Sequence, residues 1–327
     1  MAHPSDLLYT FIMLVYIIIL LIIILLLILY VIFSGIVAHK VYTATLVRTS
    51  PEKWGRCCSA PENEEHFRMW NKGLEWAEAN KDSCCEVWIE NDGFNLCGEY
   101  FDFGADRAVI IIPGRSESLM YSYYFAIPYE KAGCNVLVID IRSHGRSDGK
   151  YDYFGVGEDI DTMKWAALLH EKFGNKKVLI HGICMGASTG IQILVRPDCP
   201  EYIAGQISEG CYISFYESFK QHMIQRKRPL YPVLPMVMGL IKIHTGVDVG
   251  KTRPIDFIQD VKQPFLMLCG RKDLSSLPKR SQELFDKCGS GSKEIVWFED
   301  GVHSHLRIAN EEAFDRAIID FIHKYFD

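Results

Sequence analysis

The sequence predicts an α/β fold in which a mostly parallel sheet is covered by helices on both faces. Two observations support this. Short apolar runs of strand length alternate with longer helical segments from residue 107 onward, a pattern typical of parallel sheets. Before them, Asn91-Asp92-Gly93 forms a turn between two runs of strand character, which predicts an antiparallel hairpin. The net charge of −6, without a basic stripe, argues against a nucleic-acid partner.

The predicted elements succeed one another regularly after a helix over 62–80, whose apolar residues recur at helical spacing. The segment 213–260 interrupts this alternation between two core strands. It is either a small cap that lines an acyl pocket or an ordinary helix pair over the sheet edge. The predicted strands are 84–91, 95–103, 107–113, 135–139, 177–181, 204–208, 261–270 and 294–298, giving eight strands in all, and the helices between them include 119–132, 157–173 and 185–195.

Residues 7–36 form an apolar run without a charged side chain, longer than the roughly 20 residues that span a bilayer. We expect a single-pass transmembrane anchor, preceded by a tail (1–6) and followed by a linker (37–61) and one globular domain (62–327). A cleaved signal peptide is the alternative, but the run has no basic segment before it and is too long.

The membrane orientation is predicted from the charges that flank this run. Lys40, Arg48, Lys53 and Arg56 follow it, whereas no Lys or Arg precedes it, so the positive-inside rule places the domain in the cytosol. Eleven cysteines, an odd number, also favour a reducing compartment. The adjacent pairs Cys57-Cys58 and Cys84-Cys85 lack metal-ligand spacing.

The stretch Gly182-Ile183-Cys184-Met185-Gly186 places a cysteine between an apolar strand and a helix, with glycines on both sides. This is the pattern of a nucleophile elbow, usually Gly-x-Ser-x-Gly, in which the glycines allow a tight turn. The central residue here is a thiol, so a covalent intermediate would be a thioester. A buried structural cysteine is the alternative.

An acid and a histidine follow in the order that this arrangement requires. Asp273 stands on a loop after the strand 261–270, and His303 follows the last strand. Together with Cys184 they would form a triad in which His303 accepts the thiol proton and Asp273 orients the imidazole. Glu209 is a competing acid, and His305 competes with His303; we expect Glu209 to anchor a loop and His305 to be a polar or solvent-exposed neighbour.

These motifs, with the Asp140-x-Arg142-x-His144-Gly145-x-Ser147 segment, resemble the α/β-hydrolases from about residue 62 to the end. Within them the chain looks like the membrane-anchored "cell-surface hydrolase" branch (serine aminopeptidase/lysophospholipase-like), which favours an extracytoplasmic domain instead. The resemblance implies an oxyanion hole made by the backbone N–H groups of Met185 and Arg115. The chain departs from the family at Pro113, where a histidine is usual, and at Cys184. Similar relatives with a cysteine nucleophile are dienelactone hydrolases and acyl-CoA:amino acid N-acyltransferases.

The resulting hypothesis is a membrane-anchored acyl hydrolase of esters, thioesters or lactones that needs no metal or cofactor. Its partner would be a small acyl substrate, and an apolar cap near the membrane would suit a lipidic one. Three alternatives remain open: acyl transfer to an amine or thiol, a non-catalytic binding protein, and a serine enzyme altered at its nucleophile. The sequence predicts neither the substrate nor the oligomeric state.

Overall fold

The computed structural model describes residues 4–327, and within them eight strands form one sheet in the order β1-β2-β4-β3-β5-β6-β7-β8. β1 and β2 form the predicted hairpin, β2 is antiparallel to β4, and all the other neighbours are parallel. The mostly parallel, eight-stranded sheet is therefore confirmed. The strands are β1 Cys84–Asn91, β2 Phe94–Phe101, β3 Arg107–Ile112, β4 Asn135–Ile139, β5 Lys177–Ile183, β6 Ile203–Glu209, β7 Phe265–Gly270 and β8 Lys293–Phe298.

Eleven helices in the described part of the chain surround this sheet. The central strands are buried on both faces, because side chains that alternate along them enter two separate apolar cores. The helices are α1 Pro4–Leu46, α2 Glu64–Ala79, α3 Leu119–Lys131, α4 Glu158–Glu171, α5 Met185–Leu194, α6 Phe215–Gln225, α7 Val233–Thr245, α8 Pro254–Phe257, α9 Pro278–Lys287, α10 Leu306–Ala309 and α11 Glu311–Phe326.

The two cores divide the helices between the faces of the sheet. One core contains side chains of α4, α5 and the inserted helices α6–α8, together with the C-terminal end of α1. The other contains side chains of α2, α3 and α11. Cys184 packs against both cores, because it lies at the end of β5 where the two faces meet.

Helix α1 is long and apolar enough to cross a membrane from Leu8 onward, and its most apolar stretch is not covered by the rest of the chain. The helix extends beyond the expected span, 7–36, at both ends. At its N-terminal end α1 includes residues 4–6 of the expected tail; residues 1–3 lie outside the described residues. At its C-terminal end α1 continues through the start of the expected linker to Leu46. The extension is explained by packing, since Val41, Tyr42 and Leu46 are buried in the domain.

The rest of the expected linker also packs against the domain. Trp54 is buried and stacks on His144, with 4.7 Å between ring centroids. Arg56 forms ion pairs with Asp140 (3.1 Å) and Glu99 (2.7 Å). Residues 47–61 are therefore held on the domain by aromatic and ionic contacts, although their sequence carries no regular apolar pattern.

The segment 213–260 forms α6, α7 and α8, between β6 and β7. α6 contributes side chains to the cavity described below, as a cap would. α7 instead packs along α1: His244 stacks on Tyr42 with ring centroids 5.1 Å apart. The insertion therefore connects the long N-terminal helix with the cavity.

Candidate active site

Cys184 occupies a strained turn between β5 and α5. Its φ is +54°, a conformation that non-glycine residues rarely adopt. The flanking glycines are required by close approach: a Cβ on Gly182 would lie 2.3 Å from the carbonyl of Gly186, and one on Gly186 would lie 2.3 Å from the carbonyl oxygen of Ile112. The local geometry is that of the elbow predicted from the sequence.

Asp273 and His303 meet beside this turn. The loops that carry them follow β7 and β8, which are parallel neighbours and therefore end at the same edge of the sheet as β5. His303 Nδ1 lies 2.8 Å from Asp273 Oδ2. Asp273 Oδ1 accepts hydrogen bonds from the backbone N–H groups of Ser275 and Ser276, both at 2.7 Å, which fix the carboxylate in place.

The surroundings of His303 favour its protonated form. Burial by itself lowers the pKa of His303, but the negative charges of Asp273 and of a Cys184 thiolate, with hydrogen bonds to both, raise it well above its usual value. Cys184 and His303 line the same cavity, and the carboxylate of Asp273 lies at Nδ1 of the ring. This arrangement can hold a thiolate beside an imidazolium.

Glu209, the competing acid, is fully buried and its carboxylate has no hydrogen-bond partner among the described residues. It lies 3.6 Å from the ring of His181, which is also buried, whereas His303 is hydrogen-bonded to Asp273. The backbone carbonyl of Glu209 accepts a hydrogen bond from the N–H of Cys184 at 2.8 Å. Glu209 thus supports the elbow through its main chain.

His305 is a buried polar neighbour of the site rather than an exposed side chain, which is one of the two alternatives that the sequence left open. Only 9% of it is accessible, because α2 covers it. Its Nε2 lies 3.3 Å from Nδ1 of His66, a residue of α2, and its Nδ1 lies 3.4 Å from a carboxylate oxygen of Glu65. A helix distant in sequence therefore determines the environment of His305.

Met185 and Arg115 both border the cavity into which Cys184 opens. Met185 is the first residue of α5, where backbone N–H groups have no acceptor within the helix and the helix dipole favours negative charge. Arg115 follows Gly114, which lies beside Cys184: a Cβ built on Gly114 would be in van der Waals contact with the Cys184 Cβ, at 3.4 Å. The main chain of both residues is placed near the thiol.

The cavity has a volume of about 310 Å³, at the lower end of the range usual for small-molecule sites. One wall is apolar and comes from the start of the inserted segment, with Tyr212, Phe215 and Phe219. The thiol of Cys184 and the ring of His303 reach the floor. The space is sufficient for a small acyl group or for part of a longer one.

The opposite wall is polar and was not predicted. Ser59 donates a hydrogen bond to Glu117 (2.6 Å), and its hydroxyl oxygen lies 3.0 Å from His66 Nε2. Burial lowers the pKa of His66 to about 4, with a further contribution from His305, and burial raises the pKa of Glu117 to about 7. These residues come from separate segments and carry no common motif, so the sequence offered no signal for them.

Comparison with known proteins agrees with this architecture. Residues 107–211, which include the elbow, match the family model described as alpha/beta hydrolase fold. Among solved structures, the esterase Pf2001 of Pyrococcus furiosus superimposes with a TM-score of 0.65 at 22% sequence identity, covering 77% of this chain and 94% of that chain. The topology, the elbow and these likenesses together define the chain as a protein of the α/β-hydrolase fold.

Two curated relatives are similar over a large part of the chain. The uncharacterized protein YqkD of Bacillus subtilis is 25% identical over 218 residues, which are 66% of this chain and 71% of that protein. The alpha/beta hydrolase domain-containing protein WAV2 of Arabidopsis thaliana is 23% identical over 210 residues, 61% of this chain and 64% of that protein. The predicted α/β-hydrolase fold is therefore confirmed.

Proposed function

We propose that this protein is a membrane-anchored acyl hydrolase that cleaves ester-type bonds through a thioester on Cys184. The observation that carries the proposal is the hydrogen bond of 2.8 Å between His303 and Asp273 at the floor of the cavity into which Cys184 opens. The α/β-hydrolase fold and its likeness to an esterase support the same class of reaction.

Acylation starts from the Cys184 thiolate beside the His303 imidazolium, the pair that forms when His303 takes the thiol proton. The sulfur then attacks the substrate carbonyl carbon. The backbone N–H groups of Met185 and Arg115 would stabilise the oxyanion that forms. The carbon–oxygen bond of the ester then breaks, and His303 returns the proton to the departing alcohol.

Deacylation requires His303 to act as a base. Once Cys184 is acylated its negative charge is gone, so one of the causes that raise the pKa of His303 disappears. The imidazole is then more readily neutral and can take a proton from water, whose oxygen attacks the thioester carbonyl. The acid is released, and the thiolate of Cys184 is restored beside His303. No metal or cofactor takes part in these steps.

Helix α1 would hold this domain at the membrane, in the proposed single-pass arrangement with a cytosolic domain. Its apolar, uncovered stretch supports the anchor, and the basic residues that follow it support the orientation. Because α7 packs along α1 and α6 lines the cavity, the site would lie close to the bilayer, where acylated or lipidic substrates are found.

The test is intact mass spectrometry of the full chain in detergent after exposure to a short activated acyl ester, with product release followed in parallel. We expect a transient acyl adduct or turnover in the wild type, and neither in Cys184→Ala. Cys85→Ala, which removes an exposed thiol outside the cavity, is the matched control and should behave as the wild type. Acylation that does not depend on Cys184, or no reaction with any chain length, would overturn the proposal.

Adding an amine to the same reaction decides between water and another acceptor. Formation of an amide in place of the free acid, dependent on Cys184, would identify an acyltransferase.

A further inference from the structure

The loop that joins α6 to α7 carries the sequence Arg226-Lys227-Arg228-Pro229-Leu230-Tyr231, here called the basic loop. Arg226 and Lys227 are exposed, and 80% of Tyr231 is accessible, the largest exposure among the bulky apolar side chains whose burial the structure describes. Within residues 4–327, Arg226, Lys227 and Arg228 form no ion pair with an acidic side chain. The function proposed above makes no use of this surface.

Backbone hydrogen bonds to the end of α6 order the start of the basic loop. The backbone N–H groups of Arg226, Lys227 and Arg228 donate to carbonyls of the last turns of α6 at 3.1, 2.9 and 2.9 Å. Three positive charges are thereby presented by one short, ordered segment. Such a cluster attracts anions, and a negatively charged surface would relieve the repulsion among the three side chains.

Arg228 is half-buried beside the two exposed cations Arg226 and Lys227. Burial, with the nearby charge of Arg226, lowers the pKa of Arg228. Its Nη1 is buried without a hydrogen-bond partner among the described residues, so an anion would approach Arg228 from its solvent-facing side. A negative charge at the basic loop would offset both the burial of this guanidinium and its repulsion by Arg226.

The position of the basic loop relative to α1 identifies the source of the anion. The hydroxyl of Tyr30 on α1 donates to the backbone carbonyl of Tyr231 at 3.4 Å. Tyr30 lies 22 residues after Leu8, so at 1.5 Å per residue it is about 33 Å along the helix, close to the roughly 30 Å thickness of a bilayer core. The basic loop is thus level with the end of the span.

The burial of α1 changes at the same level. Its side chains from Leu8 to Phe33 are exposed, and Ser34 is the first buried one. After Ser34, α1 packs against α7, and this contact extends to Tyr42, on which His244 of α7 is stacked. The basic loop therefore lies where the uncovered, apolar part of α1 meets the domain, at the expected boundary between lipid and water.

We propose that the basic loop docks on the anionic phospholipid headgroups of the membrane that holds α1. Arg226, Lys227 and Arg228 bind lipid phosphates, and Tyr231 lies at the interface, where aromatic side chains are enriched. Cytosolic leaflets carry the negative surface charge that attracts such basic segments. This inference rests on the membrane anchor proposed above, but not on catalysis.

Docking would also fix the wall of the cavity. Phe219 and His222 of α6 line the cavity, and the basic loop is the direct continuation of that helix. The charges of Arg226 and Arg228 reach His222, whose pKa is lowered to about 4 by burial first and then by nearby arginines. Headgroup contact would therefore hold α6 against the bilayer, with the cavity beside the lipid surface.

The experiment measures hydrogen–deuterium exchange of the full chain reconstituted in lipid nanodiscs, one copy per disc. Discs of phosphatidylcholine alone are compared with discs containing about 30% phosphatidylserine. We expect exchange over residues 224–232 to slow at least about fivefold in the anionic discs. This is the factor by which the attraction of one basic residue to such a surface, about 1 kcal/mol, increases the binding constant. High salt should remove the slowing.

Two sets of variants make the result specific. Arg226→Gln/Lys227→Gln/Arg228→Gln should abolish the difference between the discs, and Arg226→Lys/Arg228→Lys should keep most of it. The charge-matched control, Lys81→Gln/Lys176→Gln/Lys262→Gln, removes three exposed lysines elsewhere and should leave the difference unchanged.

Equal exchange in both kinds of disc would overturn the proposal, as would slowing that the glutamine variant retains. Slowing that appears only with two copies per disc would assign the surface to a contact between copies instead. A chain that does not enter discs at all would refute both the anchor and the docking. None of these readouts depends on turnover, so a failure of the proposed hydrolase activity is seen separately in the acylation assay.

Discussion

Replacing Asp273 by Asn tests the central pair of the site with almost no change of shape. Asp273 Oδ1 accepts two backbone N–H groups at 2.7 Å, and its Oδ2 lies 2.8 Å from His303 Nδ1. An asparagine has one oxygen for these two tasks. If the NH₂ group of this asparagine faced the two backbone N–H groups, donors would face donors and no acceptor would be present. The amide oxygen therefore keeps the place of Oδ1, and the NH₂ group points toward His303.

That orientation exchanges the hydrogen-bonding roles of the two ring nitrogens of His303. Nδ1 of His303 must then accept, so the proton of the neutral ring moves to Nε2, the nitrogen needed to take a proton from Cys184. The lost carboxylate charge also removes one of the interactions that raise the pKa of His303, so the imidazolium is less stable in the variant. In the Ser-His-Asp template the same substitution lowers kcat about 10⁴-fold. We expect kcat/KM to fall by about 10²–10⁴.

The assay is hydrolysis of a short-chain p-nitrophenyl ester by the full chain, with thermal unfolding as a check on folding. Asp300→Asn is the matched control, because Asp300 is exposed, pairs with Lys272 and lies three residues before His303. Activity of Asp273→Asn within about threefold of the wild type would refute the assignment. A large loss in Glu209→Gln instead would point to Glu209 as the acid.

Two further predictions concern reactivity and stability. Because the pKa of His303 is raised, its imidazolium should persist at neutral pH beside Cys184; alkylation by iodoacetamide should therefore be faster at Cys184 than at exposed Cys57. Equal rates in peptide mapping would contradict this. Arg142→Ala should lower the free energy of unfolding by about 3–5 kcal/mol, because it removes the cation that now holds the buried carboxylate of Asp161 at 2.6 and 2.8 Å. The neutral amide of Asn91, which donates to the same carboxylate at 2.6 Å, does not replace that charge. Urea denaturation in detergent measures the loss, and a change below about 1 kcal/mol would refute it.

The elements of the fold were predictable because their signals are local. Buried parallel strands are continuous apolar runs, so β3 to β8 could be placed to within a few residues. The elbow could also be predicted from the sequence, since Gly182 and Gly186 stand where any side chain would collide with the backbone. Asp273 and His303 follow strands that end at one edge of the sheet, and this brings together residues 30 positions apart in sequence.

The sequence by itself therefore determined the strands, the tight turn at Cys184 and the order of the acid and the histidine, because each of these signals lies within one short segment of the chain. Only the tertiary structure decided which side chains surround the site. The burial of His305 under α2, the polar wall around Glu117 and the contact of Tyr231 with Tyr30 join segments up to 239 residues apart. Such contacts arise from how separate helices pack on the sheet, and no spacing within one segment encodes them.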